Sequence, residues 1–293
     1  MIVAIFGASG QLGSALLQNA RHRQCEIASP PRSLDVSDND GVSVYLAQIR
    51  PDWIINAAAL TDVDYAEGNP DQCVMVNGLA AGHLAQEANK HGARFVQLST
   101  EAVFSGDLAR PYTETDAQTP VSIYGASKVL AEELTRIRNA DAYIIRTSWL
   151  YSNRKAQNFP TRLIQNLSIS QQTVDVVTDV IGNPTPVETL SEAIFALMSA
   201  PPKPGTYHVC CLEGVSKFDW AVQIANSFGF DAGRLNPVLA QDYPTKARRP
   251  SNVLLDCGKF MDSGVFALPT WRGAWDQWLA TNVGGDVAAF LDE

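Results

Sequence analysis

The sequence predicts an α/β fold in which a doubly wound parallel sheet is followed by a smaller C-terminal α/β lobe. The chain opens on an apolar run, Ile2 to Phe6, that leads directly into a glycine-rich turn and a helical pattern. Short apolar runs then alternate with helical segments as far as about residue 150, and such alternation predicts parallel strands joined by crossover helices. Beyond that point the alternation breaks, which indicates a second unit.

Composition excludes several classes of protein. The chain has 293 residues, of which 46% are hydrophobic and 18% charged, as expected of a globular protein with a large core. Its net charge of −9 argues against binding to nucleic acids and to anionic membranes. No apolar run is long enough to span a bilayer, and we expect no signal peptide. The five cysteines are scattered and lack zinc-ligand spacing, so we expect reduced thiols in the cytoplasm and no metal site.

The turn after the first strand predicts a dinucleotide site. It reads Gly7-Ala-Ser9-Gly10-Gln11-Leu12-Gly13, and a helix is expected over Ser14 to Arg21. Gly7 allows the tight turn, Gly10 lets a pyrophosphate approach the backbone, and Gly13 lets the helix pack on the sheet. The helix N-terminus offers free N–H groups to phosphate. We therefore expect this turn, including its Ser9, Gln11 and Leu12, to bind the cofactor in a Rossmann-like arrangement; a plain strand-to-helix turn is the alternative.

The end of the second strand bears on the choice of cofactor. An acidic residue there would hold the ribose hydroxyls of NAD, but the strand Cys25 to Ala28 is followed by Ser-Pro-Pro-Arg32. Arg32 is expected to meet a 2′-phosphate, which favours NADPH and leaves NADH possible; the alternative is a solvated loop residue. Asp35 is a candidate for the adenine edge, and Val36 is placed beside it in the cofactor site. Asp38 or the preceding serine should cap the next helix.

Two further strands end in residues suited to a ligand. Asp52 to Asn56 runs into Ala57-Ala58-Ala59, where small side chains let a cofactor lie against the strand end. Arg94 to Leu98 ends in Ser-Thr100, which places a hydroxyl where open α/β sheets bind ligands. A strand-end cap is the alternative role of Thr100.

Tyr124 and Lys128 are four residues apart in a segment with a helical pattern. Positions i and i+4 share one face of a helix, so both side chains can point at one reacting atom. A cation beside a phenol favours the phenolate and eases proton transfer. This pair predicts protonation of an oxygen while hydride reaches the attached carbon; a half-buried tyrosine beside a solvated lysine is the alternative.

The second half of the chain is expected to be shared between two units. Residues 1–150 should form an NAD(P)-binding Rossmann domain to which about 172–200 return, with Val174 to Val177 as the returning strand. Residues 151–171 and 201–293 should form a substrate-binding lobe. The stripe of Phe218, Trp220, Ile224 and Phe228 is expected to be core, and the tail from Gly284 shows no chemistry.

These motifs together resemble the dTDP-4-dehydrorhamnose reductase family of extended short-chain dehydrogenases/reductases. The matching stretches, in the order in which the family has them, are Gly7–Gly13, Ile55–Ala59, Val63–Glu67, Met75–Asn77, Leu98–Thr100, Val103–Phe104, Tyr124–Lys128, Arg146–Trp149, Arg249–Pro250 and Leu255–Asp256. They span nearly the whole chain.

The resemblance implies an NADPH-dependent enzyme that reduces the 4-keto group of a dTDP-4-dehydro-6-deoxyhexose in dTDP-rhamnose biosynthesis or a related deoxysugar pathway. It implies that Tyr124 donates the proton, that Lys128 lowers the pKa of Tyr124 and holds the nicotinamide ribose, and that Thr100 hydrogen-bonds the keto oxygen. Trp149 and Val63 would lie near the sugar. The substrate is a nucleotide-diphospho-sugar, and the enzyme is expected to be a cytoplasmic monomer or homodimer.

Arg249 belongs to a basic loop in an acidic protein. The family supplies phosphate contacts from this lobe, so Arg249 is expected to meet the nucleotide diphosphate. An exposed, solvated loop is the alternative.

One departure from the family pattern keeps other functions open. The family usually has Ser-Thr-Asp-Tyr after the fourth strand, whereas this chain has Ser-Thr-Glu101-Ala102, which predicts a differently shaped sugar pocket. One alternative is a sugar-nucleotide epimerase or dehydratase on the same scaffold, although a dehydratase needs an acid pair and Glu101 supplies one carboxylate. The other is a non-catalytic regulatory or binding subunit.

Overall fold

The computed structural model describes residues 1–153 and 158–283. The strands are β1 (Ile2–Phe6), β2 (Glu26–Ala28), β3 (Trp53–Asn56), β4 (Arg94–Thr100), β5 (Tyr143–Thr147), β6 (Leu150–Tyr151), β7 (Val174–Val177), β8 (Ile181–Gly182), β9 (Thr185–Pro186), β10 (Gly205–His208), β11 (Val215–Ser216) and β12 (Leu235–Val238). The helices are α1 (Gln11–His22), α2 (Asn39–Ile49), α3 (Val63–Gly68), α4 (Pro70–Cys73), α5 (Ala80–His91), α6 (Ile123–Arg138), α7 (Phe159–Ile169), α8 (Val187–Ser199), α9 (Lys217–Ser227), α10 (Gly258–Asp262) and α11 (Trp271–Asn282). The predicted tail from Gly284 lies outside the described residues.

The central sheet has six strands in the order β10-β5-β4-β3-β1-β2, and every neighbouring pair is parallel. The chain starts inside the sheet and adds strands on both sides of β1, which is the doubly wound order. All residues of β3 and β5 are buried, as their apolar sequences require in a sheet covered on both faces. The predicted fold class is confirmed.

The prediction that Val174 to Val177 returns to this sheet is wrong. Among the described residues, β7 pairs only with β12, in a separate two-stranded parallel sheet. The strand that returns is β10, whose Gly205 to His208 align with Tyr143 to Arg146 of β5. The physical reason is visible in the burial of β7: Val176 is buried while Asp175 is exposed, so this strand suits a sheet with one solvated face.

The helix after this strand does return to the central sheet. Residues of α8, including Leu190 and Ile194, are buried in one core cluster with Leu12 and Leu16 of α1. The same cluster includes Phe260 of α10. Late segments of the chain therefore pack against the first unit, and the proposed domains interleave along the sequence.

A second core cluster is built from aromatic side chains. Trp220, Ile224 and Phe228 of the predicted stripe are buried there, with Phe218 packed against them. Trp275 stacks on Trp278 of α11 with ring centroids 5.1 Å apart. The expectation that the stripe is core is confirmed. Within residues 1–153 and 158–283, no helix has the length and apolar character needed to cross a bilayer.

Candidate active site

The candidate site lies at the carboxyl edge of the central sheet. Parallel strands present their carboxyl ends at one edge, so the segments that follow β1, β3, β4 and β5 meet there. The register aligns Phe6 with Asn56 and Thr100 with Thr147. The glycine turn, the alanine segment and the Thr100 hydroxyl are thereby brought together, as the sequence predicted.

The glycine turn is packed so closely that side chains would not fit. Gly7 has a φ of +77°, and a methyl group added there would lie 2.5 Å from backbone atoms of Ala57 and Ala58. A methyl group at Gly13 would lie 2.1 Å from the carbonyl oxygen of Gly7. Gly13 therefore lets α1 start against the turn itself rather than against the sheet. The exposed Gly10 at the N-terminus of α1 fits a pyrophosphate approaching the backbone.

Two other residues of the turn have structural partners. Gln11 accepts hydrogen bonds through Oε1 from Ser152 Oγ at 2.7 Å and from Asn158 Nδ2 at 2.9 Å. The side chain of Leu12 is buried in the main core, so only its backbone can contact a ligand. Ser9 is exposed beside Gly10. Gln11 thus fixes the turn to the segments that flank the start of α7.

The predicted adenosine end of the site lies between β2 and α2. Arg32 is exposed there, while Val36 packs against a core cluster of the sheet. Asp35 accepts hydrogen bonds from the Ser37 N–H at 2.8 Å and the Ser37 hydroxyl at 2.7 Å. These bonds, the backbone one first, hold the pKa of Asp35 below its ordinary value. Asp38 caps α2 by accepting a hydrogen bond from the Gly41 N–H at 3.0 Å, as predicted.

The start of α6 is held from two sides. Ser122 caps the helix by accepting a hydrogen bond from the Gly125 N–H at 3.1 Å, and Glu67 Oε1 accepts one from the Ile123 N–H at 2.8 Å. A methyl group at Gly125 would lie 2.3 Å from the carbonyl oxygen of Ala102. The first turn of α6, which carries Tyr124, is therefore pressed against the segment that follows Thr100.

Tyr124 and Thr100 meet in this arrangement, close enough for the Thr100 hydroxyl to influence the pKa of the phenol. Burial raises the pKa of the Tyr124 phenol above its ordinary value, the negative charge of Glu101 adds to the rise, and the Thr100 hydroxyl opposes it. The expectation that the pKa of Tyr124 is lowered is wrong for this structure. Removal from water and a neighbouring carboxylate both disfavour the phenolate.

Lys128 is buried one turn further along α6. Its Nζ donates a hydrogen bond to the carbonyl oxygen of Leu98 at 2.6 Å. Burial lowers the pKa of Lys128 to about 8, and the charge of Glu132 opposes this shift. The ammonium is thus anchored to β4, behind the hydroxyl of Thr100.

Asn77 joins the segment after β3 to α6. It lies in a π-helical turn, Val74–Leu79, that interrupts the helical run from α4 to α5. Its Oδ1 accepts from the Leu60 N–H at 2.8 Å, and its Nδ2 donates to the Leu60 carbonyl at 3.0 Å and to Ser127 Oγ at 3.0 Å. Ser127 in turn donates to the carbonyl of Tyr124 at 2.7 Å. Asn77 therefore fixes the alanine segment relative to α6.

The predicted substrate residues Trp149, Val63 and Arg249 come from three different segments of the chain. Trp149 has a φ of 40°, and its indole lies over Gly182, where a methyl group would be 2.4 Å from the ring. Val63 begins α3. Its neighbour Asp64 forms an ion pair with Arg249 at 2.8 Å. The hydrogen bond from Arg249 is the main reason that the pKa of Asp64 is lowered.

Lys217, a residue that sequence reasoning missed, lies in the same region. It is the first residue of α9, and its Nζ is 3.5 Å from the ring centroid of Trp149. Burial lowers the pKa of Lys217 to about 7, and the charge of Glu101 opposes this shift. Its sequence signal was a lysine directly preceding the aromatic stripe, but lysines at helix starts are usually solvated.

No group of three or more His, Cys, Asp or Glu residues suited to a metal ion occurs within residues 1–153 and 158–283. The absence of a metal in the reaction stays a prediction.

Comparisons with known proteins cover nearly the whole chain. A family model described as the RmlD substrate binding domain matches residues 1–283. The spore coat polysaccharide biosynthesis protein SpsK of Bacillus subtilis is 35% identical over 278 residues, which are 94% of this chain and 96% of that protein. The dTDP-4-dehydrorhamnose reductase of Escherichia coli K12 is 33% identical over 285 residues, with 93% of this chain and 95% of that protein covered.

A solved structure is similar over the same extent. The dTDP-4-dehydrorhamnose reductase of Bacillus anthracis, in complex with NADP, has a TM-score of 0.90 and 31% identity, covering 96% of this chain and 99% of that chain. The resemblance stated from the sequence motifs is confirmed by these matches. The chain belongs to the RmlD substrate binding domain family.

Proposed function

We propose that this chain catalyses the NADPH-dependent reduction of the 4-keto group of a dTDP-4-dehydro-6-deoxyhexose, with dTDP-4-dehydrorhamnose as the first substrate to test. The observation that carries the proposal is the start of α6, which carries Tyr124 and the buried Lys128 and is packed against the segment after Thr100, at the sheet edge that also holds the glycine turn. Relatives named for this reaction are similar over nearly the whole chain.

The cofactor fits the residues present. The turn in which Gly7 and Gly13 have no room for a Cβ leaves exposed backbone at Gly10, where the pyrophosphate would be held. Ala57, Ala58 and Ala59 leave room along the end of β3. These alanines, the glycine turn, Lys128 and the loop of Arg32, Asp35 and Val36 are the proposed cofactor-binding residues. When bound, NADPH supplies the hydride.

Side chains of this protein donate the proton and stabilise the negative charges that form. The raised pKa of Tyr124 keeps its phenol protonated near neutral pH, which is the form that a reductase needs to donate a proton to a developing alkoxide. Thr100 provides a second hydroxyl at the same oxygen. The Lys128 ammonium, held on the Leu98 carbonyl, stabilises negative charge that forms on the phenol as the proton leaves.

The substrate is proposed to lie between Trp149 and Val63. Trp149 offers the exposed part of its indole, which is held in place by Gly182 and by the stacked ring of Trp220. Arg249 is proposed to bind the diphosphate. Because Arg249 is paired with Asp64, the guanidinium is already held at the edge of α3, and its remaining N–H groups supply the contact.

The test is the absorbance of the reduced nicotinamide with dTDP-4-dehydro-L-rhamnose, run with NADPH and with NADH. Rapid oxidation of NADPH, with a dTDP-sugar reduced at C4 as product, is expected. An epimerase or dehydratase would change the sugar without consuming NADPH. No change in sugar or cofactor with any dTDP-4-keto-6-deoxy sugar would contradict the proposal and favour a binding subunit.

We place the enzyme in the cytoplasm, where nucleotide sugars and reduced thiols occur together, and propose a monomer or homodimer. Light scattering coupled to size exclusion distinguishes these two states from larger assemblies.

A further inference from the structure

Lys217 occupies an unusual position for a lysine. Its backbone N–H donates to the carbonyl of Val180 at 2.8 Å, and Ser216 caps the helix that Lys217 begins. The half-buried side chain is surrounded by aromatic rings: its Nζ is 3.5 Å from the ring centroid of Trp149, 4.6 Å from that of Phe159 and 5.3 Å from that of Trp220. The cation is thus held beside the indole that is proposed to face the sugar.

The ammonium has no oxygen partner among the described residues. Within the described ranges, 1–153 and 158–283, no hydrogen bond and no ion pair to Lys217 Nζ is found. Aromatic faces attract a cation, but they do not replace the three acceptors that an ammonium group can use. A second lysine, Lys259, shows the contrast, because its Nζ lies 4.5 Å from the ring centroid of Tyr207 and also donates to the carbonyl of Thr206 at 2.7 Å.

Glu101 carries the opposite charge, and its field reaches Lys217. Its Oε2 accepts a hydrogen bond from the Thr100 hydroxyl at 2.7 Å. Its negative charge acts on both Lys217 and Tyr124. The carboxylate bonded to Thr100 and the cation held against Trp149 therefore act on each other's charge.

We propose that Lys217 is a substrate-binding residue whose ammonium donates a hydrogen bond to the oxygen of one hydroxyl group on the hexose ring, while Glu101 accepts the hydrogen of that hydroxyl. A hydroxyl is the group that both donates and accepts. A sugar carboxylate would be repelled by Glu101, and a sugar ammonium would be repelled by Lys217. The inference deepens the proposed function, and it rests on a nucleotide sugar entering this site.

The test compares the affinities of dTDP and dTDP-L-rhamnose by calorimetry. In the wild-type protein the sugar should add affinity beyond that of dTDP. In Lys217→Met the affinity for dTDP-L-rhamnose should fall about tenfold or more, as expected for loss of a hydrogen bond to a charged group, while the affinity for dTDP is unchanged. Lys259→Met, the matched control, should leave both affinities unchanged.

Two results would overturn the assignment of Lys217. One is an unchanged affinity of Lys217→Met for dTDP-L-rhamnose; the other is an equal loss for dTDP, which would place the ammonium on the nucleotide. If the wild-type protein oxidises NADPH with the keto-sugar in either case, the proposed reductase function stands and only this inference fails. Failure of the function itself is marked by no turnover in the wild-type protein.

A second measurement needs no variant and covers the case in which Lys217→Met does not fold. Wild-type affinities for dTDP-L-rhamnose and for its 2-deoxy and 3-deoxy analogues should differ, with one analogue binding about tenfold or more weakly. Equal affinity for all three would overturn the proposal. Where the variant folds, it should no longer distinguish the sensitive analogue from dTDP-L-rhamnose.

Discussion

Two sets of opposite charges among the described residues, Glu132 with Arg146 and Glu101 with Lys217, are built in different ways. Behind the sheet edge, Glu132 of α6 pairs with Arg146 of β5 through two hydrogen bonds of 2.9 and 2.8 Å. Ser99, Gln118 and Arg136 donate to the remaining acceptor positions of Glu132. Burial alone would raise the pKa of Glu132, but the hydrogen bonds and charge of Arg146, together with the Ser99 hydrogen bond and the charge of Arg136, outweigh it, and the pKa is lowered.

Glu101, bonded to Thr100, and Lys217, held against Trp149, form no such ion pair among the described residues. Glu101 accepts from Thr100, while burial raises its pKa, and burial lowers the pKa of Lys217 to about 7. Loss of hydration thus disfavours the charged form of both groups, and no partner among the described residues offsets this fully.

This difference in hydrogen bonding distinguishes charges that hold the fold together from charges that are available to a ligand. A buried ion pair whose acceptors are all used holds two elements together, and its energy is realised in the folded chain. Charged groups in a cleft with unused hydrogen-bonding capacity keep that capacity for a ligand. The two sets therefore predict opposite responses to mutation: loss of stability at the first set and loss of sugar recognition at the second.

The largest effect is expected at Tyr124, on which the charge of Glu101 acts. Tyr124→Phe should lower kcat about 10²- to 10⁴-fold, because the proton donor is removed, with little change in the affinity for NADPH. Steady-state rates and cofactor titration measure this. Tyr143→Phe removes a phenol that bonds the Pro202 carbonyl away from the site and should retain kcat. A Tyr124→Phe enzyme with the wild-type rate would remove Tyr124 from catalysis.

The next effect concerns the pair of Glu132 and Arg146. Glu132→Gln leaves the buried Arg146 without its counter-charge and should lower the free energy of unfolding by about 3–5 kcal/mol, measured by urea denaturation. The matched control is Glu133→Gln, which breaks an exposed pair with Arg136 and should cost less than about 1 kcal/mol. Equal losses in both variants would mean that the buried pair is not a distinct stabilising element.

A smaller effect is expected at an exposed cation. Arg32→Ala should weaken NADPH about tenfold, the loss of one charge-assisted bond to a 2′-phosphate, and leave NADH nearly unchanged. Dissociation constants for both cofactors give the ratio, with Arg272→Ala on the second lobe as control. If both cofactors weaken equally, Arg32 does not contact the 2′-phosphate.

The smallest effect concerns the loss of folding stability caused by the buried charge of Lys217. Burial lowers the pKa of Lys217 to about 7, so the folded protein carries the buried charge below that pH. The loss of folding stability caused by this charge is therefore largest below pH 7. The cost declines as the pH rises from 7 toward the ordinary lysine value, since only the folded state releases its proton there. Lys217→Met should therefore raise the melting temperature more at pH 6 than at pH 9. Glu101 and Arg249, the charges acting on Lys217, oppose each other; a gain independent of pH would contradict the assignment.

Much of the fold and of the candidate site could be predicted from local patterns. The apolar run of β1, the glycine turn and the four-residue spacing of Tyr124 and Lys128 are properties of short segments, which fix strand, turn and helix face wherever the segments lie. The hydroxyl of Thr100 could be placed because parallel strands end at one edge. The structure confirms these elements, while the roles of the side chains remain to be tested by the variants above.

Three features depended on contacts between distant parts of the chain. The sixth strand of the sheet is β10 and not β7, because pairing is chosen by the burial of both faces. The pKa of Tyr124 is raised, because burial and the charge of Glu101 outweigh the effect of the Thr100 hydroxyl. Lys217 lies beside Trp149, although the two residues are 68 positions apart in the sequence. Burial and electric field are sums over neighbours in space, so only the tertiary structure decided them.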